Sequence, residues 1–261
     1  MSRFINLEFA GDSHEQDKFL SSNPFVPRDE HWCLNEAAMA FSDAKFEVAL
    51  RFYGKTLEYN PGNVEAWTGQ VRMLIELGEF SEAGLWADKA LERFPQEPEL
   101  LAAKAVASAR SGDLDAALAF SDAAIAEKGE TAYLWLARGD VLLARHEKRA
   151  DYCFEKALLL SPSNWLTGWL AGRIRYYYKQ FALALQLMQA ALEKNATHFN
   201  LWLECGRCQE ALGLSGAARH SFEQARQLNP ACVQAEIALS GLGTGGLKRL
   251  MLGFWRRLFS S

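Results

Sequence analysis

From about residue 30 onward, apolar residues recur at three- and four-residue intervals with polar ones between them, the spacing of amphipathic helices. Dense Val/Ile/Thr alternation is scarce, and alanine, leucine, glutamine and charged residues dominate, so propensity adds to the case for helix over strand. A longer period lies over this one. Alanines stand at Ala49, Ala83, Ala117, Ala150, Ala184 and Ala218, at intervals of 34, 34, 33, 34 and 34 residues. Seven residues after each come Thr56, Ala90, Ala124, Ala157, Ala191 and Ala225, two helical turns further along the same face. Five residues beyond these stand Pro61, Pro95, Gly129, Pro162, Ala196 and Pro230, four of them prolines at the point where a helix should stop.

A second helix is expected ahead of each alanine ladder. Its middle carries a small residue in five units, Ala37, Ala105, Gly139, Gly172 and Gly206, with Val71 as the exception. Four residues earlier lie Trp67, Trp135 and Trp202, with Cys33, Leu101 and Gly168 in the other units. Each unit is then a pair of helices too small to bury its apolar stripe alone, so neighbours must stack to make a continuous core. The small residues are the expected contact points. Trp67, Trp135, Trp202, Phe154 and Phe222 are expected to fill the spaces between helices, each burial contributing about 2 to 3 kcal/mol.

The order Trp, small residue, alanine, aromatic (Tyr53, Phe154, Phe222), alanine, proline resembles the 34-residue tetratricopeptide repeat, or TPR, over about Glu30 to Ala231. The resemblance implies an all-α, right-handed superhelical solenoid of six helix-turn-helix repeats, at about 30–63, 64–97, 98–131, 132–164, 165–198 and 199–232. The solenoid with its C-terminal capping helix is expected to span 30–240, with Ala231 to Ser240 covering the apolar face of the sixth repeat. Two departures stand out. The fourth repeat is one residue short around Arg145 to Arg149 and lacks the usual turn glycine, so an irregular turn is expected there. The third, with Leu101, Ser108 and Ser121 where larger residues are usual, is expected to pack least well.

Outside the array, residues 1–29 show no period and read as an extended or disordered extension, or a docking strand. Residues 241–246 read as a Gly-rich linker. In the tail, 247–261, Leu247, Leu250, Met251, Phe254 and Leu258 fall at helical spacing, widened by Trp255 and Phe259. Lys248, Arg249, Arg256 and Arg257 make this segment basic. Three readings are open for such a helix: an anionic membrane surface, the groove of a partner, or the solenoid itself.

The chain carries a net charge of −4 over 261 residues, which leaves −8 outside the tail. Nucleic acid is excluded as the main ligand, because phosphate binding draws on clustered Lys and Arg. No run reaches the roughly 20 uncharged apolar residues that span a bilayer, and residues 1–30 lack a basic start followed by an apolar run. With five scattered cysteines, an odd number, this favours a cytoplasmic protein, peripheral to a membrane on the first reading of the tail.

The TPR resemblance further implies that positions 2, 5, 9, 12 and 13 of each repeat face the inner groove. In register these include Phe41, Arg72 and Arg110 in the first three repeats, and Tyr133, Leu136 and Asp140 in the fourth. Leu166, Trp169, Arg173, Tyr176 and Tyr177 follow in the fifth, and Arg207 in the sixth. Aromatic rings beside arginines suit a peptide or helix with apolar anchors and acidic groups, and Trp169, Arg173 and Tyr176 form the expected centre. The Lys and Asn clamp with which some TPR co-chaperones grip a chaperone's carboxyl terminus is not matched. Leu34, Ala38, Thr68 and Arg72 stand in its places.

Motifs for chemistry are weak. Gly241, Gly243 and Gly246 satisfy GxGxxG without a preceding strand. Cys205 and Cys208 form a lone CxxC inside a helix, and the five histidines form no metal or nucleophile signature. Neither catalytic residue, metal nor cofactor is therefore expected. The function read from the sequence is a protein-interaction scaffold or adaptor that assembles a complex, at a membrane surface if the tail binds one. The alternative is a chaperone or targeting factor that shields an apolar client segment.

Overall fold

A computed structural model describes residues 29–127 and 129–242, so the extension before Asp29 and the tail 247–261 lie outside the described residues. The chain divides into two compact units, one running to Cys153 and one from Phe154. The first contains α1 (Glu30–Ser42), α2 (Phe46–Tyr59), α3 (Val64–Glu76), α4 (Phe80–Arg93), α5 (Pro98–Ser111), α6 (Leu114–Ala126) and α7 (Ala132–Ala144). The division falls inside α8 (Ala150–Leu160). The second contains α9 (Trp165–Tyr177), α10 (Phe181–Lys194), α11 (Phe199–Ala211) and α12 (Ser215–Leu228), followed by a helical stretch over 233–242. Among the described residues every regular element is a helix.

Local chemistry explains where the helices begin and end. Asp29, Asn63, Thr131 and Asn164 accept hydrogen bonds from the free amides of Trp32, Ala66, Leu134 and Leu166, capping first helices of four repeats. All six first helices end alike. The amides of Lys45, Glu79, Asp113, Glu147, Gln180 and Leu214 each reach back five residues to a carbonyl, at 2.8 to 3.0 Å, the bond of a Schellman motif. The residue before each has positive φ: Gly78, Gly112 and Gly213 in three turns, Ala44, His146 and Lys179 in the others.

The short fourth turn keeps the Schellman geometry of the others and departs from it just afterwards, the irregularity expected there. His146, at φ 58°, fills the left-handed position and the Schellman bond from Glu147 to the Leu142 carbonyl is intact at 2.8 Å. The missing residue is absorbed afterwards. The amides of Ala150 and Asp151 bond only three residues back, to Glu147 and Lys148, and α8 starts four residues past the left-handed residue where other second helices start two past it.

Packing follows the small-residue ladders. Ala49, Ala83, Ala117, Ala184 and Ala218 are wholly buried, as is Thr56, whose hydroxyl donates to the Phe52 carbonyl at 3.0 Å. Trp67 and Trp202 donate their indole N–H to the carbonyls of Pro61 and Ala196, each six residues earlier, which pins the inter-repeat loop to the next helix. The third repeat packs better than its residues led us to expect. Leu101, Ala102 and Val106 of α5 form one cluster with Ala124, Leu134 and Ala137, and Ala105 and Ala109 form another with Ala117 and Val141. Small side chains let α5 settle close to its neighbours, so burial is reached through proximity and not through bulk.

Gly206 shows how tight such contacts are. A Cβ placed there would lie 2.4 Å from the ring of Phe222, which is itself wholly buried in α12. Gly206→Ala is therefore expected to destabilise the protein by about 1 to 3 kcal/mol through overpacking, despite alanine's higher helix propensity. Urea unfolding monitored by circular dichroism checks this, and a variant as stable as the native chain would show that Phe222 can move aside.

Candidate protein-binding groove

In the first unit, the first helices α1, α3, α5 and α7 bring Phe41, Arg72, Arg110, Tyr133, Leu136 and Asp140 into two groupings. Half-buried Arg72 on α3 lies over the Tyr133 ring, 3.9 Å from its centroid, with the Phe41 ring at 5.3 Å on α1. Burial raises the Tyr133 hydroxyl well above the ordinary tyrosine range, with Arg72 opposing the shift. A guanidinium held between aromatic faces is oriented in advance for contact.

The second grouping is closed. Arg110 Nε donates to Asp140 Oδ1 at 2.9 Å and its NH2 to Oδ2 at 2.7 Å, a bidentate pair whose side chains are 9% and 3% exposed. Both residues were expected to face a ligand, and that expectation is corrected. Leu136 and Phe41 also change role, at 2% and 7% exposed, becoming a core side chain and a support for Arg72.

In the second unit, Arg173 on α9 and Arg207 on α11 converge on one carboxylate oxygen. Arg173 NH1 lies 3.2 Å and Arg207 NH1 3.0 Å from Glu204 Oε1. Glu204 is buried, whereas the side chain of Arg207 is 37% exposed and that of Arg173 21%. These three groups together carry a net positive charge. Arg173 rests on the face of Trp169, its guanidinium carbon 5.1 Å from the ring centroid.

Trp169 itself is wholly buried, packed 6.1 Å from the Trp165 ring. The sequence placed it at the centre of contact; it instead forms the floor under Arg173. Leu166 is half-buried at the start of the same helix. The tyrosine run splits. Tyr176 is half-buried 5.2 Å from the Phe181 ring, Tyr177 is exposed, and Tyr178 meets Tyr177 edge to face at 5.0 Å.

Two charged residues of these helices, one beside the arginine pair and one buried away from it, are absent from the residues that repeat position nominates. Glu204 carries a signal that was available, since it precedes Arg207 by three residues on one helix face. Arg175 carried none. Its side chain turns the other way, lying 4.5 Å over the Phe154 ring and donating to the Gln180 side chain, and it is 5% exposed.

Cys205 and Cys208 are buried, and burial pushes both thiols up to about 12, away from thiolate chemistry at neutral pH. Among the described residues no three His, Cys, Asp or Glu side chains gather where a metal could be held. No helix among them is long and apolar enough to cross a membrane.

Comparison with known proteins agrees with this architecture. The tetratricopeptide-repeat family model matches residues 40–107. Taken with the 34-residue period and the stacked helix pairs, this gives the chain the helical solenoid fold of tetratricopeptide-repeat proteins. A relative from Bos taurus, the BBSome complex member BBS4, is 23% identical over 184 residues, covering 70% of this chain and 36% of that protein. This chain thus spans about a third of the length of that relative.

Among solved structures, a tetratricopeptide repeat protein from Parabacteroides merdae aligns at a TM-score of 0.52 and 16% identity, over 87% of this chain and 89% of its own. The anaphase-promoting-complex hetero-tetramer Cut9–Hcn1 aligns at 0.52 and 18%, over 87% and 46%. These similarities establish the fold.

Proposed function

We propose that the protein is a non-enzymatic adaptor that holds a partner protein through a segment presenting a carboxylate beside an apolar anchor. The observation that carries this is the pair of arginines converging on Glu204. Arg207, its side chain 37% exposed, is held by Glu204 beside Arg173, so an incoming Asp, Glu or C-terminal carboxylate finds a guanidinium already oriented, with Tyr176 and exposed Tyr177 on the neighbouring first helix. The Bos taurus relative is a member of a complex, the BBSome, which is the kind of setting in which an adaptor serves.

The test begins with the immobilised full chain and an extract of its native source, with retained proteins identified by mass spectrometry. Binding of the purified partner is then measured by calorimetry. Arg207→Glu is expected to weaken it at least tenfold, because it places a second carboxylate beside Glu204 while removing a half-exposed side chain that the core does not need. Unchanged affinity would move the site elsewhere, and the Arg72–Tyr133 surface of the first unit would be examined by Arg72→Glu.

A further inference from the structure

The helical stretch 233–242 stands 34 residues after α11 and occupies the place of the first helix of a seventh pair. Its inner side is satisfied. Cys232 and Ala235 are buried in one cluster with Leu203, Ala218, Phe222 and Ala225, and Ala238, Leu239 and Leu242 pack at its edge. Another stripe is open. Val233 and Ile237 are 61% and 64% exposed, and Ser240, three residues on, is exposed too. These three share one helix face.

The equivalent stripe of α11 is Phe199, Leu203 and Gly206. There Phe199 is half-buried, Leu203 is 4% exposed and Gly206 is buried. What covers it is the second helix of its own pair: Leu203 clusters with Ala218 and Phe222 of α12, and Phe222 lies against Gly206. The 233–242 stripe is thus the same surface without its second helix.

The residues that follow carry the pattern such a helix needs. Ala218, Phe222 and Ala225 face α11 with spacings of four and three. Thirty-three residues on stand Met251, Trp255 and Leu258, with the same spacings, after the glycine-rich 241–246. An interval of 33 also separates Ala117 from Ala150, and Gly139 precedes Phe154 by the same 15 residues as Ser240 precedes Trp255. A one-residue-shorter turn therefore has a precedent in this chain.

We infer that residues 247–259 dock as a helix on the Val233–Ile237–Ser240 face, completing a seventh helix pair with Trp255 over Ser240. Ser240 is the small residue of this position, where Ala37 and Ala105 stand in the first and third repeats. Arg249, Arg256 and Arg257 fall on the opposite side of such a helix and remain in solvent. The short linker holds the segment at an effective concentration of order millimolar, which favours this surface over a separate partner.

Hydrogen exchange read by mass spectrometry on the full-length protein tests the inference. Amides of 247–259 are expected to exchange at least tenfold more slowly than in a synthetic peptide of 247–261. Ile237→Asp and Trp255→Glu should each restore the peptide rate, while Arg256→Glu should leave protection in place. Ile237 is exposed, so unchanged exchange across α11 and α12 in its variant shows that the fold persists.

Exchange at the peptide rate in the native chain overturns the inference, as does protection that survives both Ile237→Asp and Trp255→Glu. Protection that appears only with phosphatidylglycerol vesicles would assign the segment to a membrane. Protection lost on hundredfold dilution would assign it to a second copy, and either result overturns docking within one chain.

Discussion

Asp140→Ala should lower the stability of the protein by about 3 to 5 kcal/mol, since it strips a buried guanidinium of its bidentate partner. Arg110 is 9% exposed, so its charge stays largely out of water when the carboxylate is removed. With a urea m-value of about 1 to 3 kcal/mol/M, the midpoint should fall by roughly 1 to 5 M. Replacing both partners, Arg110→Met with Asp140→Leu, should recover most of that loss, because no charge is left buried. If the single and double variants unfold at the same midpoint, the cost lies in lost packing and not in an uncompensated charge.

Trp169→Ala should cost a similar amount, about 3 to 5 kcal/mol, because the ring is wholly buried and its removal opens a large cavity beside Trp165. A second consequence separates it from an ordinary core mutation. Arg173 lies on the Trp169 face, so its guanidinium should lose orientation toward Glu204, and partner binding should weaken although the ring touches no partner. Trp169→Phe, which keeps an aromatic floor, should retain most of the binding. Urea unfolding and calorimetry at a temperature where all variants are folded read the two effects. A Trp169→Ala protein with native stability would contradict the burial, and one with native affinity would detach Arg173 from the binding site.

The helix pairs, their length and their order were legible in the sequence because each depends on local rules. Alanines at 34-residue intervals mark close approach, and prolines mark helix ends. At the fourth turn the usual glycine was unnecessary, since the Schellman bond holds His146 in the left-handed conformation.

The candidate surface was legible only in part. Repeat position nominates residues for the inner side of a first helix, Arg72, Tyr133, Arg173 and Arg207 among them. It does not tell a side chain that reaches the surface from one enclosed by the next helix, and so it treated Trp169, Leu136 and Asp140 as contacts.

Period, helical class and stacked-pair architecture therefore belong to the sequence alone, because hydrophobic spacing and helix-end chemistry act within a few dozen residues. Which arginine closes on an aspartate and which stays half-open beside Glu204 was decided only in the tertiary structure. That choice depends on pairs such as Arg110 with Asp140 and Arg173 with Glu204, 30 and 31 residues apart, whose distances the hydrophobic pattern does not encode.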